Sequence, residues 1–390
     1  MKRFLALCLL GCLLIGFVPV MAEETAAVTI SAPAAILIEA GSGQVLFEKN
    51  SHDRRPPASV TKIMTMLLTM EAIENGQIQL EDMVRCSENA ASMGGSQVYL
   101  EPGEEMSVRD MLKAVAVASG NDAAVALAEH ISGSVEGFVA LMNQRAEELG
   151  MKDTHFVNCN GLDTPEHLTS AYDIALMSRE LVRYPLILEF TGIWMDSLRD
   201  GAFGLVNTNK LIRFYEGANG LKTGSTSVAK YCLSASAVRD GMNLIAVIMG
   251  AETSKERFGD ASRLLDYGFA NYTIAGSLLS PEELPPLTVL KGKVPQIEIG
   301  VSDDLHVLVS KSKMKNIEKH ISLPESVPAP IRPGDKVGEV EFMIDGNRIG
   351  GADIVAKTES LRMNPFHMLK KLSTQLLFGG TIPQKNDSLG

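Results

Sequence analysis

The spacing of apolar residues changes along this chain, and each change predicts a different element. Residues 35–39 and 45–48 are short apolar runs on either side of a Gly-Ser-Gly turn at 41–43. This arrangement predicts a β-hairpin. Over residues 59–75, by contrast, apolar side chains fall on nearly every face of a helical projection. A helix of that kind is usually buried, and we therefore expect this segment to be a core helix.

Helical and strand patterns alternate through the middle of the chain. Helical spacing is present at 108–131 (with a break at 119–122), 136–150, 170–184 and 255–270. Residues 231–238 and 242–249 are apolar runs joined by Arg-Asp-Gly, which predicts a second hairpin, and residues 220–224 are predicted to end a preceding strand. We therefore predict an α+β fold, with helices on both sides of an antiparallel sheet.

The pattern changes after a group of prolines, Pro281, Pro285 and Pro286. From there apolar and polar residues alternate between recurring turns, which predicts a small all-β domain over 283–360. Beyond it, one face of a helical projection collects Phe366, Leu369, Leu372 and Leu376. We therefore expect an amphipathic helix within residues 361–390.

The first residues have the organisation of a secretory signal. Lys2 and Arg3 precede an apolar stretch, and Val-Met-Ala at 20–22 supplies a cleavage site. The stretch is too short for a permanent membrane span, so we expect export to the outer face of the cytoplasmic membrane, the periplasm or the cell-wall space. Leu-Leu-Gly-Cys ending at Cys12 also resembles a lipoprotein box, although the apolar run continues past it.

Length and charge agree with this organisation. The 390 residues are predicted to divide into a signal peptide (1–22), an α+β domain (23–282), a β-rich domain (283–360) and a membrane-associated tail (361–390). The net charge of -11 argues against a nucleic-acid partner, because binding to phosphates needs a concentrated basic surface.

The cysteines and histidines indicate no metal or cofactor. Without the signal peptide, Cys86, Cys159 and Cys232 remain, and an odd number cannot all pair within one chain. We expect isolated, buried thiols. The seven histidines are scattered and none has metal-ligand spacing.

The candidate chemistry begins with Ser59 and Lys62, whose spacing places both side chains on one face of a helix. A serine hydroxyl is a poor nucleophile unless a base takes its proton. A lysine can be that base if burial and a second cation lower its pKa. We expect Lys222 to be the second cation.

Each motif alone carries little information. Ser-x-x-Lys and Ser-x-Asn also occur at Ser227/Lys230, Ser310/Lys313, Ser312/Lys315 and Ser87/Asn89. Only Ser59/Lys62 opens a predicted buried helix, and only Ser119/Asn121 lies in a tight break between helices. Followed by Lys-Thr-Gly at 222–224, they form the ordered set of penicillin-binding proteins and class A β-lactamases.

The chain resembles the serine D-alanyl-D-alanine carboxypeptidases, which are low-molecular-mass penicillin-binding proteins. The resemblance rests on segments 37–43, 58–62, 117–123 and 220–224, and extends to the signal, the β-rich domain and the tail. It implies a β-lactamase/transpeptidase-like catalytic domain followed by a small all-β domain and a C-terminal amphipathic helix. It also implies removal of the terminal D-alanine from peptidoglycan stem peptides, covalent inhibition by β-lactam antibiotics, and no cofactor.

The resemblance implies a role for each catalytic residue. Ser59 would attack the carbonyl between the two D-alanines, and Lys62 would take its proton. Ser119, assisted by Lys222, would pass a proton towards the leaving amine. Asn121 would orient Lys62 and the substrate amide.

Substrate binding is implied for the strand that carries Lys222, Thr223, Gly224 and Ser225. The backbone N–H groups of Ser59 and Ser225 would hold the oxyanion. Thr223 would bind the terminal carboxylate, and Gly224 would leave room for the substrate backbone.

Two positions depart from the family pattern. Relatives often have His where this chain has Ser225, and some place Arg near the position of Glu252. That Arg would bind the substrate carboxylate, and Lys255 or Arg257 are the candidates to replace it.

Three other functions and two arrangements of the tail are compatible with parts of the sequence. A β-lactamase would need a deacylating base, for which Glu166 lacks the usual setting. An endopeptidase or transpeptidase acting on crosslinks would use the same residues and is not excluded. A non-catalytic cell-wall-binding scaffold would have no use for the complete proton-transfer set. We expect the tail to bind the membrane surface through residues 365–378, with docking on the β-rich domain as the alternative.

Overall fold

The computed structural model describes residues 28–275, 278–302 and 307–364. The predicted signal peptide, Cys12 and the tail helix with its membrane contact at 365–378 lie outside these residues. Within them no single helix is long and apolar enough to cross a membrane. The bent helix pair Asn121–Ser132 and Val135–Glu148 has the length and composition of a membrane span, and only these two properties indicate one.

The larger part of the chain alternates between strands and helices. The strands are β1 (Ala34–Glu39), β2 (Val45–Lys49), β3 (Met83–Arg85), β4 (Glu105–Ser107), β5 (Met195–Leu198), β6 (Phe203–Val206), β7 (Ala218–Thr226), β8 (Lys230–Arg239), β9 (Met242–Ala251) and β10 (Tyr272–Ala275). The helices are α1 (Lys62–Glu74), α2 (Glu88–Ala91), α3 (Val108–Lys113), α4 (Asn121–Ser132), α5 (Val135–Glu148), α6 (Ala171–Leu181), α7 (Pro185–Thr191), α8 (Leu211–Phe214) and α9 (Ser254–Asn271).

A five-stranded antiparallel sheet in the order β2-β1-β9-β8-β7 forms the centre of this part. Every residue of β1 is buried, because the sheet is covered on both faces. Ile36 and Ile38 pack into the cluster that contains α1, α4 and α6, whereas Leu37 packs into the cluster that contains α9. The predicted α+β fold with helices on both sides of an antiparallel sheet is confirmed.

Both predicted hairpins are confirmed as β1–β2 and β8–β9. The predicted core helix is also confirmed, although it begins at Lys62, and Ser59 lies in the 3₁₀ turn Ala58–Thr61 before it. The prediction that Lys-Thr-Gly ends a strand is wrong, since β7 continues to Thr226. The ladder with β8 persists to the pair Thr226 and Lys230, so the motif lies inside a paired strand.

The β5–β6 hairpin has no counterpart among the predicted elements. Its two strands pair from Met195 with Val206 to Leu198 with Phe203. Most of their side chains are exposed or half-buried, and neither strand carries the apolar alternation that marks a strand in a sequence.

The second part is rich in β-structure. Its strands are β11 (Leu287–Leu290), β12 (Gln296–Ile297), β13 (Ile299–Val301), β14 (Val307–Ser310), β15 (Glu318–Ser322), β16 (Ser326–Pro328), β17 (Lys336–Ile344) and β18 (Asn347–Ala356). A three-stranded and a four-stranded sheet enclose a core of their own. Strand β10, which follows α9, pairs with β14 and so ties the two parts together.

Candidate active site

The structure brings Ser59 and Lys62 into direct contact. Ser59 is half-buried, and the Nζ of Lys62 lies 3.0 Å from its Oγ. Lys62 is fully buried at the start of α1, and its Nζ also donates to Asn121 Oδ1 at 2.6 Å and to the carbonyl of Asn160 at 2.7 Å. Three oxygen acceptors therefore fix the amine beside the serine hydroxyl.

Burial lowers the pKa of Lys62 from 10.5 to about 7. Desolvation disfavours the charged ammonium, and the nearby Cys159 and Asp122 oppose this effect only in part. An amine with a pKa near 7 is neutral often enough to act as a general base at neutral pH.

Lys222 lies close enough to Lys62 for their charges to interact. Its pKa is held well below its usual range by burial and then by the charges of Lys62 and Arg257. Repulsion between two ammonium groups is mutual, so each of the two lysines disfavours the charged form of the other. The Nζ of Lys222 donates to the carbonyl of Thr223 at 2.9 Å. The two lysines thus share one desolvated region, and the role of Lys222 as the second cation stays a prediction.

Ser119 and Asn121 lie at the junction between a π-helical turn, Ala114–Ala118, and α4. Ser119 has a left-handed backbone (φ 64°), and its buried Oγ has no hydrogen-bond partner among the described residues. A buried hydroxyl without a partner is costly, which is expected where a substrate supplies the missing contact. Asn121 donates from Nδ2 to the carbonyl of Gly94 while its Oδ1 holds Lys62.

The neighbouring carboxylate of Asp122 fixes this junction. It is buried and accepts hydrogen bonds from the backbone N–H groups of Val98, Leu100 and Ala123. The loop between α2 and β4 is thereby bound to the start of α4. This role of Asp122 was not predicted from the sequence, where a single acid at an alanine-rich helix start was the available signal.

Gly224 is also required by the packing of the protein itself. A Cβ there would lie 2.8 Å from the backbone nitrogen of Ser59 and 2.9 Å from both the nitrogen of Val60 and the carbonyl of Pro57. Such distances are closer than non-bonded contact permits, so the glycine makes room for the turn of Ser59. Its predicted purpose, space for the substrate backbone, stays a prediction.

A second glycine packs against the same turn. A Cβ on Gly161 would overlap the carbonyl of Ala58, and Gly161 has φ 88°. Ala58 itself is left-handed at φ 49°, a conformation that costs free energy for a residue with a side chain. The nucleophile turn is therefore held in a strained shape between two glycines.

A buried histidine supports that strained turn, and sequence reasoning missed it. His167 Nδ1 accepts from the backbone of Val157 at 2.9 Å, so its Nε2 carries the proton and donates to Thr61 Oγ1 at 2.8 Å. Thr61 Oγ1 in turn donates to the carbonyl of Ala58. No spacing signal identifies this pair, since 106 residues separate the two side chains.

Thr223 and Ser225 also lie on β7, beside the turn that carries Ser59. Thr223 is buried and donates from Oγ1 to Thr208 Oγ1 at 2.7 Å, and Ser225 is exposed. Arg257, in the first turns of α9, donates to the carbonyls of Gly224 and Cys232, each at 3.2 Å. Its positive charge therefore lies directly beneath the Lys-Thr-Gly strand.

The other candidates for charge recognition and deacylation lie elsewhere. Glu252 is exposed and pairs with Lys230 at 3.6 Å, and Lys255 is exposed. Glu166 is exposed in the loop that precedes His167. Arg257 is therefore the candidate for carboxylate binding that contacts the Lys-Thr-Gly strand among the described residues.

Cys86, Cys159 and Cys232 are free and buried, as predicted. In the part of the chain with described coordinates, no group of three or more His, Cys, Asp or Glu side chains is placed to hold a metal ion.

Comparison with known proteins agrees with this geometry. Residues 20–253 match the family described as D-alanyl-D-alanine carboxypeptidase, and residues 282–360 match the family described as penicillin-binding protein 5, C-terminal domain. The D-alanyl-D-alanine carboxypeptidase DacF of Bacillus subtilis (strain 168) is 45% identical over 380 residues, which cover 95% of this chain and 98% of the relative. DacC of Escherichia coli (strain K12) is 34% identical over 84% of each chain.

Solved structures show the same relationship. Penicillin-binding protein 5 of Haemophilus influenzae superposes with a TM-score of 0.72 at 32% identity, covering 86% of this chain and 98% of that one. Penicillin-binding protein D2 of Listeria monocytogenes, solved in an ampicillin-bound form, gives 0.57 at 32% identity over 62% of this chain and 99% of its own. The resemblance stated from the sequence is confirmed, and the chain belongs to the D-alanyl-D-alanine carboxypeptidase family of serine peptidases.

Proposed function

We propose that this chain is a serine D-alanyl-D-alanine carboxypeptidase that removes the terminal D-alanine from peptidoglycan stem peptides through an acyl-Ser59 intermediate. The observation that carries the proposal is the contact of the buried Lys62 amine, whose pKa is lowered to about 7, with the Ser59 hydroxyl. The family membership supports the reaction class, and we expect this chain to act on the cell wall outside the cytoplasm.

In the first half-reaction, neutral Lys62 takes the proton of Ser59 as Oγ bonds to the carbonyl carbon between the two D-alanines. The backbone N–H groups of Ser59 and Ser225 stabilise the oxyanion. The C–N bond then breaks, and D-alanine leaves after its amine receives a proton through Ser119, with Lys222 assisting. The unpaired, buried hydroxyl of Ser119 supports this role.

In the second half-reaction, water attacks the acyl carbonyl, with Lys62 returning as the base and the oxygen of Ser59 as the leaving group. Asn121 keeps Lys62 in line with Ser59 through its 2.6 Å hydrogen bond. We further propose that Thr223 and the charge of Arg257 beneath the strand attract the terminal carboxylate of the substrate. β-Lactam antibiotics are expected to acylate Ser59 in the same way, and water is expected to hydrolyse the resulting ester slowly.

The test is release of D-alanine from diacyl-Lys-D-Ala-D-Ala by the mature protein, run beside a crosslinked stem dimer and a chromogenic cephalosporin. The proposal expects release from the first substrate, abolished in Ser59→Ala and retained in Ser310→Ala. Ser310 is the matched control because it has the same Ser-x-x-Lys spacing, with Lys313. Cleavage of the dimer alone would identify an endopeptidase, and rapid cephalosporin turnover would identify a β-lactamase.

A further inference from the structure

The irregular loop that joins α2 to β4, residues 92–104, packs against the start of α4 and is here called the active-site loop. The carbonyl of Gly94 accepts from Asn121 Nδ2 at 2.6 Å, and the carbonyl of Ser96 accepts from the backbone N–H of Asn121 at 2.7 Å. A Cβ on Gly95 would lie 2.8 Å from Asn121 Nδ2, so the glycine permits this close approach. The position of Asn121 therefore depends on the position of the loop.

Arg199 holds the active-site loop at its middle and at its end. Its Nη1 donates to the carbonyl of Val98 at 3.0 Å, and its Nη2 donates to the carbonyl of Tyr99 at 3.2 Å. Nε and Nη2 also donate to the two carboxylate oxygens of Glu104, at 2.8 Å and 3.1 Å. One guanidinium thus joins two backbone carbonyls in the middle of the loop to a carboxylate at its end.

The ion pair between Arg199 and Glu104 is largely withdrawn from solvent. Their side chains are 28% and 22% exposed. The hydrogen bond from Arg199 holds the pKa of Glu104 below its usual range, so this carboxylate is charged at neutral pH. A bidentate contact has a fixed geometry that a lysine ammonium does not reproduce. The pair is therefore suited to hold the loop in one position.

Arg199 itself lies outside the active-site loop, in the turn between β5 and β6. Arg199 and Asp200 have left-handed backbones, with φ 53° and 52°. This conformation costs free energy for a residue with a side chain, and glycine or asparagine is usual in such turns. The guanidinium also lies over the ring of Phe203, 5.5 Å from the ring centroid. The hairpin β5–β6 thus holds Arg199 in the orientation that reaches the loop.

These contacts form a continuous path from the hairpin to the base. Arg199 binds the loop, and the loop binds Asn121 through two of its carbonyls. Asn121 Oδ1 in turn accepts from Lys62 Nζ at 2.6 Å, and the same Nζ lies 3.0 Å from Ser59 Oγ. A shift of the loop would therefore move Asn121 relative to the amine that activates the nucleophile.

We propose that Arg199 is a positioning residue for the acylation of Ser59, and that it acts through the active-site loop on Asn121. This role rests on the proposed function only in taking Ser59 as the nucleophile and Lys62 as its base. Loss of Arg199 should slow the chemical step and leave the binding of the acylating compound unchanged. A contribution to stability alone would change the fraction of folded protein, but not the rate for each folded molecule.

The first test is acylation of the mature protein by a penicillin over a range of concentrations, with folding verified by thermal unfolding. Arg199→Ala should lower the maximal rate of acylation about tenfold, since small displacements of reacting groups are costly, and should leave the half-saturating concentration unchanged. Arg348→Ala is the matched control, because it removes an ion pair with Glu341 in the β-rich part and should acylate like the parent. A maximal rate in folded Arg199→Ala equal to that of the parent would overturn the proposal.

A double-mutant cycle tests whether Arg199 acts through Asn121. In an Asn121→Ala background, Arg199→Ala should slow acylation by less than about twofold, because the contact that it positions is already lost. An undiminished effect in this background would show that Arg199 acts by another route, and would overturn the proposal. Glu104→Gln is the second variant, in case Arg199→Ala does not fold. It should give a smaller loss of the maximal rate with the same dependence on Asn121.

Release of D-alanine is measured in the same proteins, so that the role of Arg199 and the proposed function are tested separately. If the parent releases no D-alanine but its acylation depends on Arg199 and Asn121 as described, the carboxypeptidase function is refuted and the role of Arg199 is supported. If the parent releases D-alanine and the maximal rate is the same in folded Arg199→Ala, the reverse holds.

Discussion

A Cβ on Gly224 would lie 2.8 Å from the backbone nitrogen of Ser59. The Lys-Thr-Gly strand and the nucleophile turn thus pack with no side chain between them. This contact sets the distance between Ser59 and the neighbouring backbone of β7, and both backbones contribute donors to the proposed oxyanion site. The glycine is therefore required by the enzyme's own packing, before any substrate binds.

Gly224→Ala should slow acylation by a penicillin about 100-fold, because displacement of a nucleophile by about 1 Å is enough for a loss of that size. The measurement is the second-order rate of labelling by a fluorescent penicillin. Gly204→Ala is the matched control, since a Cβ at Gly204 meets nothing within 4 Å and the residue lies in the exposed hairpin β5–β6. Equal rates for both variants and the parent would contradict this reading of Gly224.

The rate of acylation should depend on pH through Lys62. Its pKa is lowered by burial to about 7, and the base is active when neutral. The rate should therefore fall about tenfold for each pH unit below about 7 and level off above it. A pH profile of penicillin labelling measures this directly, and a flat profile through neutral pH would show that Lys62 is not the base.

Asn121→Asp should move that profile to higher pH. The substitution exchanges an amide oxygen 2.6 Å from Lys62 Nζ for a carboxylate, and an opposite charge at this distance favours the ammonium. The expected rise in the apparent pKa is about 1 to 3 units. Asn89→Asp, in the exposed second Ser-x-Asn, is the control and should leave the profile where it is. A pH profile that does not shift in Asn121→Asp would show that this side chain does not influence the pKa of Lys62.

His167 should make the fold sensitive to acid. Burial, with a contribution from His155, lowers its pKa from 6.5 to about 4, so the unfolded chain binds a proton in this interval that the folded chain does not. The free energy of unfolding should therefore decrease as the pH falls from 6.5 towards 4, by about 3 kcal/mol in total.

The measurement is thermal unfolding as a function of pH. His167→Gln should be less stable at neutral pH, since it disturbs the hydrogen bond to Thr61, but should lose this part of the acid dependence. His320→Gln, at an exposed strand residue, should behave like the parent. If the loss of stability in acid is unchanged in His167→Gln, groups other than His167 must cause it.

The sequence predicted the parts of the site that depend on spacing within one element. Ser59 and Lys62 are brought together by a helical turn, and Asn121 belongs to the Ser-x-Asn motif in the break before α4. Contacts across elements were not predictable in the same way. Three contacts depend on how separate elements assemble. They are the hydrogen bond between His167 and Thr61, the position of Arg257 beneath β7 and the packing of Gly224 against Ser59.

The strength of the interaction between Lys62 and Lys222 was not predictable, because it depends on how deeply each amine is buried. Both side chains are buried in the structure. Lys62 has three oxygen acceptors for its amine, whereas the described partner of Lys222 Nζ is the carbonyl of Thr223. Acceptors and burial act in opposite directions on a buried ammonium, and a sequence indicates neither.

We expect Ser59 to carry the acyl group and Lys62 to be its base. This is tested by mass-spectrometric mapping of the penicillin adduct in the mature protein, in Ser59→Ala and in Lys62→Arg, with folding of each verified by thermal unfolding. One adduct is expected on the peptide that contains Ser59, none in Ser59→Ala, and acylation should be slowed by at least about 1000-fold in Lys62→Arg, whose guanidinium stays charged. An adduct on another residue, or rapid acylation in folded Lys62→Arg, would show that Ser59 or Lys62 does not have the proposed role.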